Sequence, residues 1–554
     1  EFNFPDISKV ENDDITEKEL LHSYVMSQVE QDGIVGNSLV GFNDLINEKM
    51  GFITSNMFDY EKQIRNNDKE SLAKKSIDSF KCGLKFNNLV VHPPNINIDR
   101  TTTTVDLLPN QALNRSKNYS GDITIDVEIY IIAVYENGST EKQFGKINNI
   151  KIGEFPIMVR SEKCHLNRLP DRAIRDKEED IFDNGGHFIL GGEEHVVMLR
   201  ENIAYNTPHY HKAMKRNEWV RVQYISQPND AYENSAQTVL RIMSNGQLTI
   251  EISSITYEAT RIPFFVIFRL FGMTNDLDIL KAIGFDPESK DSIIQTINKN
   301  VSKAFHLVED EYKSLVSERN RSVIIKSIIA KLRKDKLNTK YEEDPNAVAY
   351  ITEELLGSES KPGGLDVMLF PHLGRDHTSR IRKLKFIGFL FHRMFKVHYD
   401  ILPATDRDSY TTKRVHGAGV SLAKLFKTHF KASIISKLVK SLRDLIEKTD
   451  DWKKIQPDIL ISIASKVLSN SKLGDDIKTA IVSSNKTTVV GKTTNRVSAQ
   501  IMERKNPLNA ISTSRQIVTP DSSTQASSER ADKLRRVHAT YVGYVCLFQT
   551  APTG

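Results

Sequence analysis

Alternation is the clearest signal along this chain. From Asp122 to Tyr135 the order DITIDVEIYIIAVY sets Ile123, Ile125, Val127, Ile129 and Ile131 on every second position. A period of two buries one face of a strand and leaves the other to polar surroundings. Asn137-Gly138 follows directly, and both residues tolerate the left-handed backbone of a tight hairpin turn. A second hairpin repeats the logic, with Val239 to Ile242, then Asn245-Gly246, then Leu248, Ile250 and Ile252. Between the two, Gly185-Gly186 and Gly191-Gly192 punctuate short strands in a turn-rich region.

Helical spacing takes over elsewhere. Ile15, Leu20, Leu21, Val25 and Val29 predict a helix over 14–32 that stops at Asp32-Gly33. Residues 264–356 read as helical and alternately acidic and basic, and LGSESKPGG, ending at Gly364, reads as an exposed connection. From Leu384 a helical pattern runs through Phe391 and Phe395 to Pro403. Ser421 is placed to cap a further long helix, with Leu422, Leu425, Phe426, Ile434, Ile435, Leu438 and Leu442 on one face. Past Lys472 the chain turns polar and rich in Ser, Thr and Asn as far as Asp532. These shifts divide it into a mixed domain, an inserted mainly helical domain, a return segment and a loop-rich final piece.

Composition narrows the class. With 554 residues the chain is too long for a single core, and a hydrophobic share of 39% beside 27% charged residues is ordinary for a globular protein. Cys82, Cys164 and Cys546 are widely spaced, which argues against a disulfide framework or a cysteine zinc site and fits a reducing compartment. The apolar run Ile262–Met273 is broken by Arg269 and is too short to span a membrane, and the acidic start EFNFPDISKVENDD is no signal peptide. That start lacks methionine, which reads as an incomplete beginning.

A net charge of +5 is too small to identify a partner, but its distribution is informative. Between Asp408 and Asp444 there is no acid, against Lys413, Arg414, Lys424, Lys427, Lys431, Lys437, Lys440 and Arg443. Between Asp476 and Asp521 Glu503 stands against Lys478, Lys486, Lys492, Arg496, Arg504, Lys505 and Arg515. Single-sign stretches of this kind suit a phosphate backbone, although each alone also fits a solvated helix face. Few aromatics are interleaved, so backbone contact is expected ahead of base stacking.

Other motifs carry less. Gly491-Lys492-Thr493 ends like a phosphate loop, but Lys486 stands where the first glycine belongs, which argues against a nucleotide-driven motor. His209 and His211 lack further ligands at zinc spacing, and the acidic pairs Glu179-Asp180 and Glu309-Asp310 sit in charged helical surroundings. No catalytic or metal-binding constellation is legible from the residues themselves.

Several ordered blocks nevertheless carry a resemblance. Arg535 to Gly554, RRVHATYVGYVCLFQTAPTG, resembles "R-x-x-H-x-T-H-x-G-x-x-C-P-x-E-T-P-E-G" near the middle of the second-largest subunit of multisubunit DNA-directed RNA polymerases. Leu107-Leu108-Pro109-Asn110 with Arg115 and Tyr119-Ser120 resembles that family's "P-N-x-A-R-x-x-x-x-Y-S", and Gly153 to Ser161 with Cys164 resembles "I-P-I-M-L-R-S-x-x-C". Gly185 to Ile189 and Gly192 to Val196 resemble "G-G-Y-F-I-I-N-G-x-E-K-V". Thr405 to Tyr410 with Lys413-Arg414 resembles "D-R-D-x-x-x-x-K-R", and Asn506-Pro507-Leu508 with Ile511 resembles "N-P-L-x-x-I". Within the family, stretches such as CHLNRL, ENIAYNTPH and RDSYTTKRVHGAGVSLAKLFK are most similar to polymerases of cytoplasmic large DNA viruses, the asfarvirus group in particular. Cys546-Leu547-Phe548 departs from the family's "C-P-x-E", which reads as lineage drift.

The resemblance implies an α+β multidomain chain with the protrusion, lobe and fork of the polymerase second-largest subunit. Its domains would be a protrusion over 1–200 with a return segment over 403–470, a lobe over 201–402 and an incomplete fork over 471–554. The implied function is that of the N-terminal part of the subunit, which forms one wall of the DNA cleft. Lys413, Arg414, Lys424, Lys427, Lys431, Lys492, Arg496, Arg504, Arg515, Arg535 and Arg536 are the candidates for nucleic-acid contact. Catalysis and its magnesium are expected on other parts of the holoenzyme, with no cofactor on this segment. Implied partners are template DNA, the RNA–DNA hybrid, the largest subunit and smaller subunits, in the host cytoplasm (viral factory) and virion. The competing class is a non-enzymatic viral DNA-binding or structural protein on a polymerase-derived scaffold.

Overall fold

Apart from isolated positions, the computed structural model describes residues 33–57, 60–65, 77–97, 104–212, 217–228, 235–252, 262–307, 357–362, 364–448, 455–482, 499–518 and 537–546. Almost all of the helix expected over 14–32 lies outside these residues, as do all of 308–356 and the Gly491-Lys492-Thr493 string. The chain forms two compact units, each built from two stretches. The first comprises Glu1–Asn202 and Val415–Asp521, the second Ile203–Arg414 and Ser522–Gly554. The architecture is α+β, with several sheets and helices packed on them.

The first unit opens with α1 (Gly36–Asp44) and then lays down three long antiparallel strands. These are β1 (Ile77–Asn97), β2 (Ser120–Tyr135) and β3 (Thr140–Pro156). β2 is central, and its alternation is realised: Ile123, Ile125, Val127, Ile129 and Ile131 are buried. The Asn137-Gly138 turn joins β2 to β3, with Gly138 at φ +79° and its N–H donating to the Tyr135 carbonyl at 2.9 Å. Two short strands follow, β4 (Phe188–Leu190) and β5 (Glu193–Val197), joined through the Gly191-Gly192 turn.

The second unit holds an antiparallel sheet in sequence order. It consists of β6 (Pro208–Lys212), β7 (Glu218–Ser226), β8 (Ala236–Met243), β9 (Leu248–Ile252) and β10 (Ile262–Pro263). The β8–β9 hairpin turns at Asn245-Gly246 as its sequence requires, with Gly246 at φ +86°. The apolar run after it becomes α2 (Phe264–Leu270), all of whose residues are buried. Arg269 stays inside because its Nη2 donates to Asp276 Oδ1 at 2.7 Å and its guanidinium lies 5.0 Å from the Phe265 ring centre. α3 (Arg380–His398) buries Leu384, Ile387, Leu390, Phe391, Met394 and Phe395 in the same core. Among the described residues no helix is long and apolar enough to cross a membrane.

The return to the first unit supplies α4 (Ala418–Phe430), α5 (Ser436–Lys448), α6 (Pro457–Ser469) and α7 (Leu473–Val482). A π-helical turn, Lys431–Ile435, joins α4 to α5. An i, i+4 apolar repeat drifts around a helix of about 3.6 residues per turn, and a wider turn takes up that drift. Leu422, Leu425, Phe426, Ile434, Ile435, Leu438 and Leu442 all reach the core. Ser421 does not cap the helix: Gly417 holds the N-cap position, and Ser421 lies a turn inside. α6 and α7 pack on β3. Phe42 of α1, Phe155 of β3 and Phe188 of β4 meet at ring separations of 5.5 to 6.2 Å, while Phe426 and Phe430 of α4 contact Phe155 and Phe86. β11 (Ala499–Ile501) then pairs with β5, and α8 (Pro507–Ser514) follows, capped by Asn506, whose Oδ1 accepts from Asn509 N–H at 2.7 Å.

α1 and α4 cross where both lack a side chain. A Cβ on Gly419 would lie 2.0 Å from the Gly41 carbonyl oxygen, whereas one on Gly41 would meet nothing closer than 3.9 Å. Gly419→Ala should therefore destabilise the first unit by on the order of 1–3 kcal/mol through forced separation of the helices. Gly41→Ala should be tolerated. Thermal unfolding of the two variants of the full chain, side by side, checks this asymmetry.

Candidate nucleic-acid interface

The blocks that look alike across a large family are here brought into mutual contact. Tyr119 is buried, its hydroxyl donates to Cys164 Sγ at 3.3 Å, and its carbonyl accepts from Ile157 N–H at 3.0 Å. The Tyr119 N–H donates to the Ile189 carbonyl at 2.9 Å, and Val159 N–H to the His187 carbonyl at 2.9 Å. Three sequence blocks thus share one hydrogen-bonded layer. Burial raises both the Tyr119 phenol and the Cys164 thiol, so the layer is neutral and structural.

A charged cluster lies beside it. Arg504 grips Glu194 through two bonds, Nε to Oε2 at 2.5 Å and Nη2 to Oε1 at 2.9 Å, and Nη2 also donates to Asp183 Oδ2 at 3.1 Å. His187 Nε2 lies 3.4 Å from Glu194 and 3.7 Å from Asp183. Burial alone would raise Glu194, but His187 and Arg504 outweigh it and hold the carboxyl at about 2. Asp183, His187 and Glu194 have donor atoms within 4.8 Å of one another, a spacing that could hold a metal ion. The guanidinium supplies the positive charge there, and an imidazole suits magnesium poorly because that ion takes oxygen ligands. The cluster therefore does not fit the magnesium of nucleotidyl transfer. Spacings of four, seven and some three hundred residues left it invisible in the sequence.

The basic run divides between the units: Lys413 and Arg414 belong to the second, Lys424, Lys427 and Lys431 to the first. On α4 and its π-turn Lys424 and Lys431 are exposed and Lys427 half-buried. Desolvation and then Arg200 lower the Lys424 ammonium below its usual range. His416 is pushed down to about 4 by burial first and then by Lys424 and Arg200. Its Nδ1 accepts from the Asn202 amide at 2.9 Å, so the imidazole is neutral near pH 7. Arg200 and Lys424 thus disfavour each other's charge close to a neutral imidazole, the electrostatic condition an anion relieves. Arg200 is not legible in the sequence as part of this cluster, because it is more than two hundred residues from the run it reinforces.

Arg515 is exposed at the C-cap of α8. Arg504, a candidate for nucleic-acid contact, is instead committed to the two carboxylates. Lys492, Arg496, Arg535 and Arg536 lie outside the described residues.

In the second unit the terminal block folds onto the Thr405–Tyr410 block. Tyr410 N–H donates to Thr540 Oγ1 at 2.8 Å, and His538 Nε2 lies 2.9 Å from Asp406 Oδ2. His538 Nδ1 accepts from Thr540 N–H at 3.2 Å and sits 2.7 Å from its hydroxyl. Nδ1 as acceptor places the ring proton on Nε2, where it donates to Asp406. Tyr410 packs against Tyr541 and Tyr544 at ring separations of 5.0 and 5.9 Å. Lys413 Nζ lies 5.9 Å from the ring centres of both Tyr410 and Tyr541, and Arg414 is exposed.

Comparison with known proteins identifies the family that shares these blocks. The chain belongs to the RNA polymerase beta subunit family, whose model matches residues 33–469. A second model, described as RNA polymerase Rpb2, domain 3, matches residues 500–554. The chain is 24% identical over 546 residues to the DNA-directed RNA polymerase II subunit RPB2 of Encephalitozoon cuniculi, covering 96% of this chain and 42% of that protein. Against the DNA-directed RNA polymerase II subunit 2 of Arabidopsis thaliana the identity is 23%, covering 99% and 43%. The DNA-directed RNA polymerase subunit Rpo2N of Methanothermobacter thermautotrophicus is 24% identical, with 80% of this chain and 78% of that protein covered. The chain thus spans less than half the length of these two eukaryotic relatives.

Two outcomes check the electrostatics. Glu194 is held at about 2 against an ordinary 4.5, so its link contributes fully above pH 4.5 and is lost as the pH falls toward 2. The gap in thermal midpoint between the natural chain and Arg504→Met should be widest above pH 4.5 and close below it. Replacing Lys424 by Met should move the His416 titration, followed by NMR, upward from about 4 but well short of 6.5, because burial is the larger cause and Arg200 remains. A shift of no size would separate the two side chains.

Proposed function

We propose that this chain is the N-terminal part of the second-largest subunit of a viral DNA-directed RNA polymerase. The observation that carries the polymerase-subunit part of this reading is the family match over residues 33–469 and 500–554, whose shared blocks pack against one another within each unit. We assign the domain order that the resemblance implies: protrusion over 1–200 and 403–470, lobe over 201–402, and a fork over 471–554 that is incomplete. The chain forms one wall of the DNA cleft. It holds phosphates through Lys424, Lys427 and Lys431, reinforced by Arg200, through Arg515, and through Lys413 and Arg414. Lys492, Arg496, Arg535 and Arg536 are further candidates on the sequence alone, while Arg504 serves the fold.

Nucleotidyl transfer belongs to the holoenzyme, and magnesium is held by its other parts. This chain contributes position and positive potential, which lower the cost of bringing a polyanion into a confined cleft. Its partners are template DNA, the RNA–DNA hybrid, the largest subunit and smaller subunits. The viral part of the proposal rests on stretches such as CHLNRL and RDSYTTKRVHGAGVSLAKLFK, and cytoplasmic viral factories and the virion are the locations proposed with it.

Salt dependence tests the interface. Log affinity for duplex DNA should fall with log salt at a slope of roughly −0.9 per phosphate contact, and neutralising Lys424 and Lys427 together should flatten it by about two. An unchanged slope would return α4 to a solvated face. Incorporation of the full-length subunit into a transcribing complex, and its loss on deletion of residues 1–554, tests the assignment itself.

A further inference from the structure

Tyr541 and Tyr544 lie some 130 residues from Lys413 and Arg414 in the chain, yet the fold makes them one surface. The turn that carries them is fixed by Tyr544 N–H and Val545 N–H, both donating to the Tyr541 carbonyl at 3.0 Å, and by Gly543 at φ +85°. Only a residue tolerant of the left-handed region closes that turn, which sets the two rings three positions apart against Tyr410. Tyr410 is buried and acts as the wedge; Tyr544 leans on it at 37° and remains 76% exposed. Lys413 is held near two ring centres, and Arg414 Nη1 donates to the carbonyls of Thr411 at 3.3 Å and Lys413 at 2.7 Å. Those partners are neutral, so the guanidinium is positioned without losing its charge. Asp406 lies 2.9 Å from His538 Nε2 and accepts from Asp408 N–H at 3.0 Å.

We propose that Tyr544, backed by Tyr410 and Tyr541 and flanked by Lys413 and Arg414, is a stacking platform for an unpaired base of single-stranded nucleic acid. The inference rests on the nucleic-acid reading above and adds to it the state of the strand. In a duplex both faces of each base are already covered, so an open ring with cations beside it complements a base that has left its stack. Lys413 and Arg414 take the phosphates on either side of that base. The platform was hidden in the sequence because its rings and its cations lie far apart along the chain, and the basic run itself contains few aromatics.

The full 554-residue chain would be titrated with a fluorescent oligonucleotide carrying 2-aminopurine, single-stranded and then annealed into a duplex. Natural protein should quench the unpaired probe. Tyr544→Ala should weaken single-strand binding roughly ten- to a hundred-fold, with Tyr544→Phe and Tyr544→Trp near the natural value and duplex affinity unchanged. Tyr544 is exposed, so these substitutions leave the fold intact. Equal losses for single strand and duplex, or none for Tyr544→Ala, would overturn the platform while leaving the duplex salt slope to stand for the broader reading. Displacement of the oligonucleotide by a glutamate- and tyrosine-rich peptide at matched charge would likewise overturn it, assigning the surface to an acidic protein segment. No binding of either strand form would sink both readings.

Discussion

The first unit depends on two helices being able to touch backbone to backbone. Its two stretches are separated by more than two hundred residues, and closing that interval costs chain entropy before any contact is gained. What offsets the cost is the seam where α1 meets α4 at Gly41 and Gly419, continued by the aromatic contacts of Phe42, Phe155, Phe426 and Phe430. With that seam closed, the apolar side of α4 faces inward and Lys424 and Lys431 are left outside. The positive face is thus a by-product of how the core is shut. The same seam explains why Ser421 is not the cap: the helix begins at Ala418, so that Gly419 falls in its first turn, where the crossing takes place.

Local periodicity was legible because it is local. The β2 alternation and both Asn-Gly turns needed no information from elsewhere in the chain, and they stand as read. The seven apolar positions over 422–442 also stand, although the π-turn that keeps them inward gave no sign in the pattern. The recognisable blocks could be found one by one, but not their hydrogen bonds to each other, because a motif records residue types and spacing and not its neighbours in space. Tyr119 bonded to Cys164, and Tyr410 to Thr540, are facts of the fold.

Charge was the least faithful guide. An uninterrupted basic run looked like one surface, yet the chain passes from one unit to the other between Arg414 and Val415. Lys413 therefore keeps company with tyrosines, and Lys424 with Arg200. Arg504 read as a free cation because its carboxylates lie some three hundred residues upstream. Counting signs along a sequence measures composition, whereas potential depends on which groups folding brings within a few ångströms.

The guanidinium of Arg504 lies against a cluster whose spacing could hold an ion. A bound metal exchanges with solvent, can be stripped by a chelator and must be found again after each loss. A cation tethered to the chain has none of these freedoms; its local concentration is set by the seating of β11 against β5. The three-residue cluster at Asp183, His187 and Glu194 is therefore a built-in gauge of folding: its two carboxylates have a guanidinium beside them when the segment around Arg504 is in place and lack it when it is not.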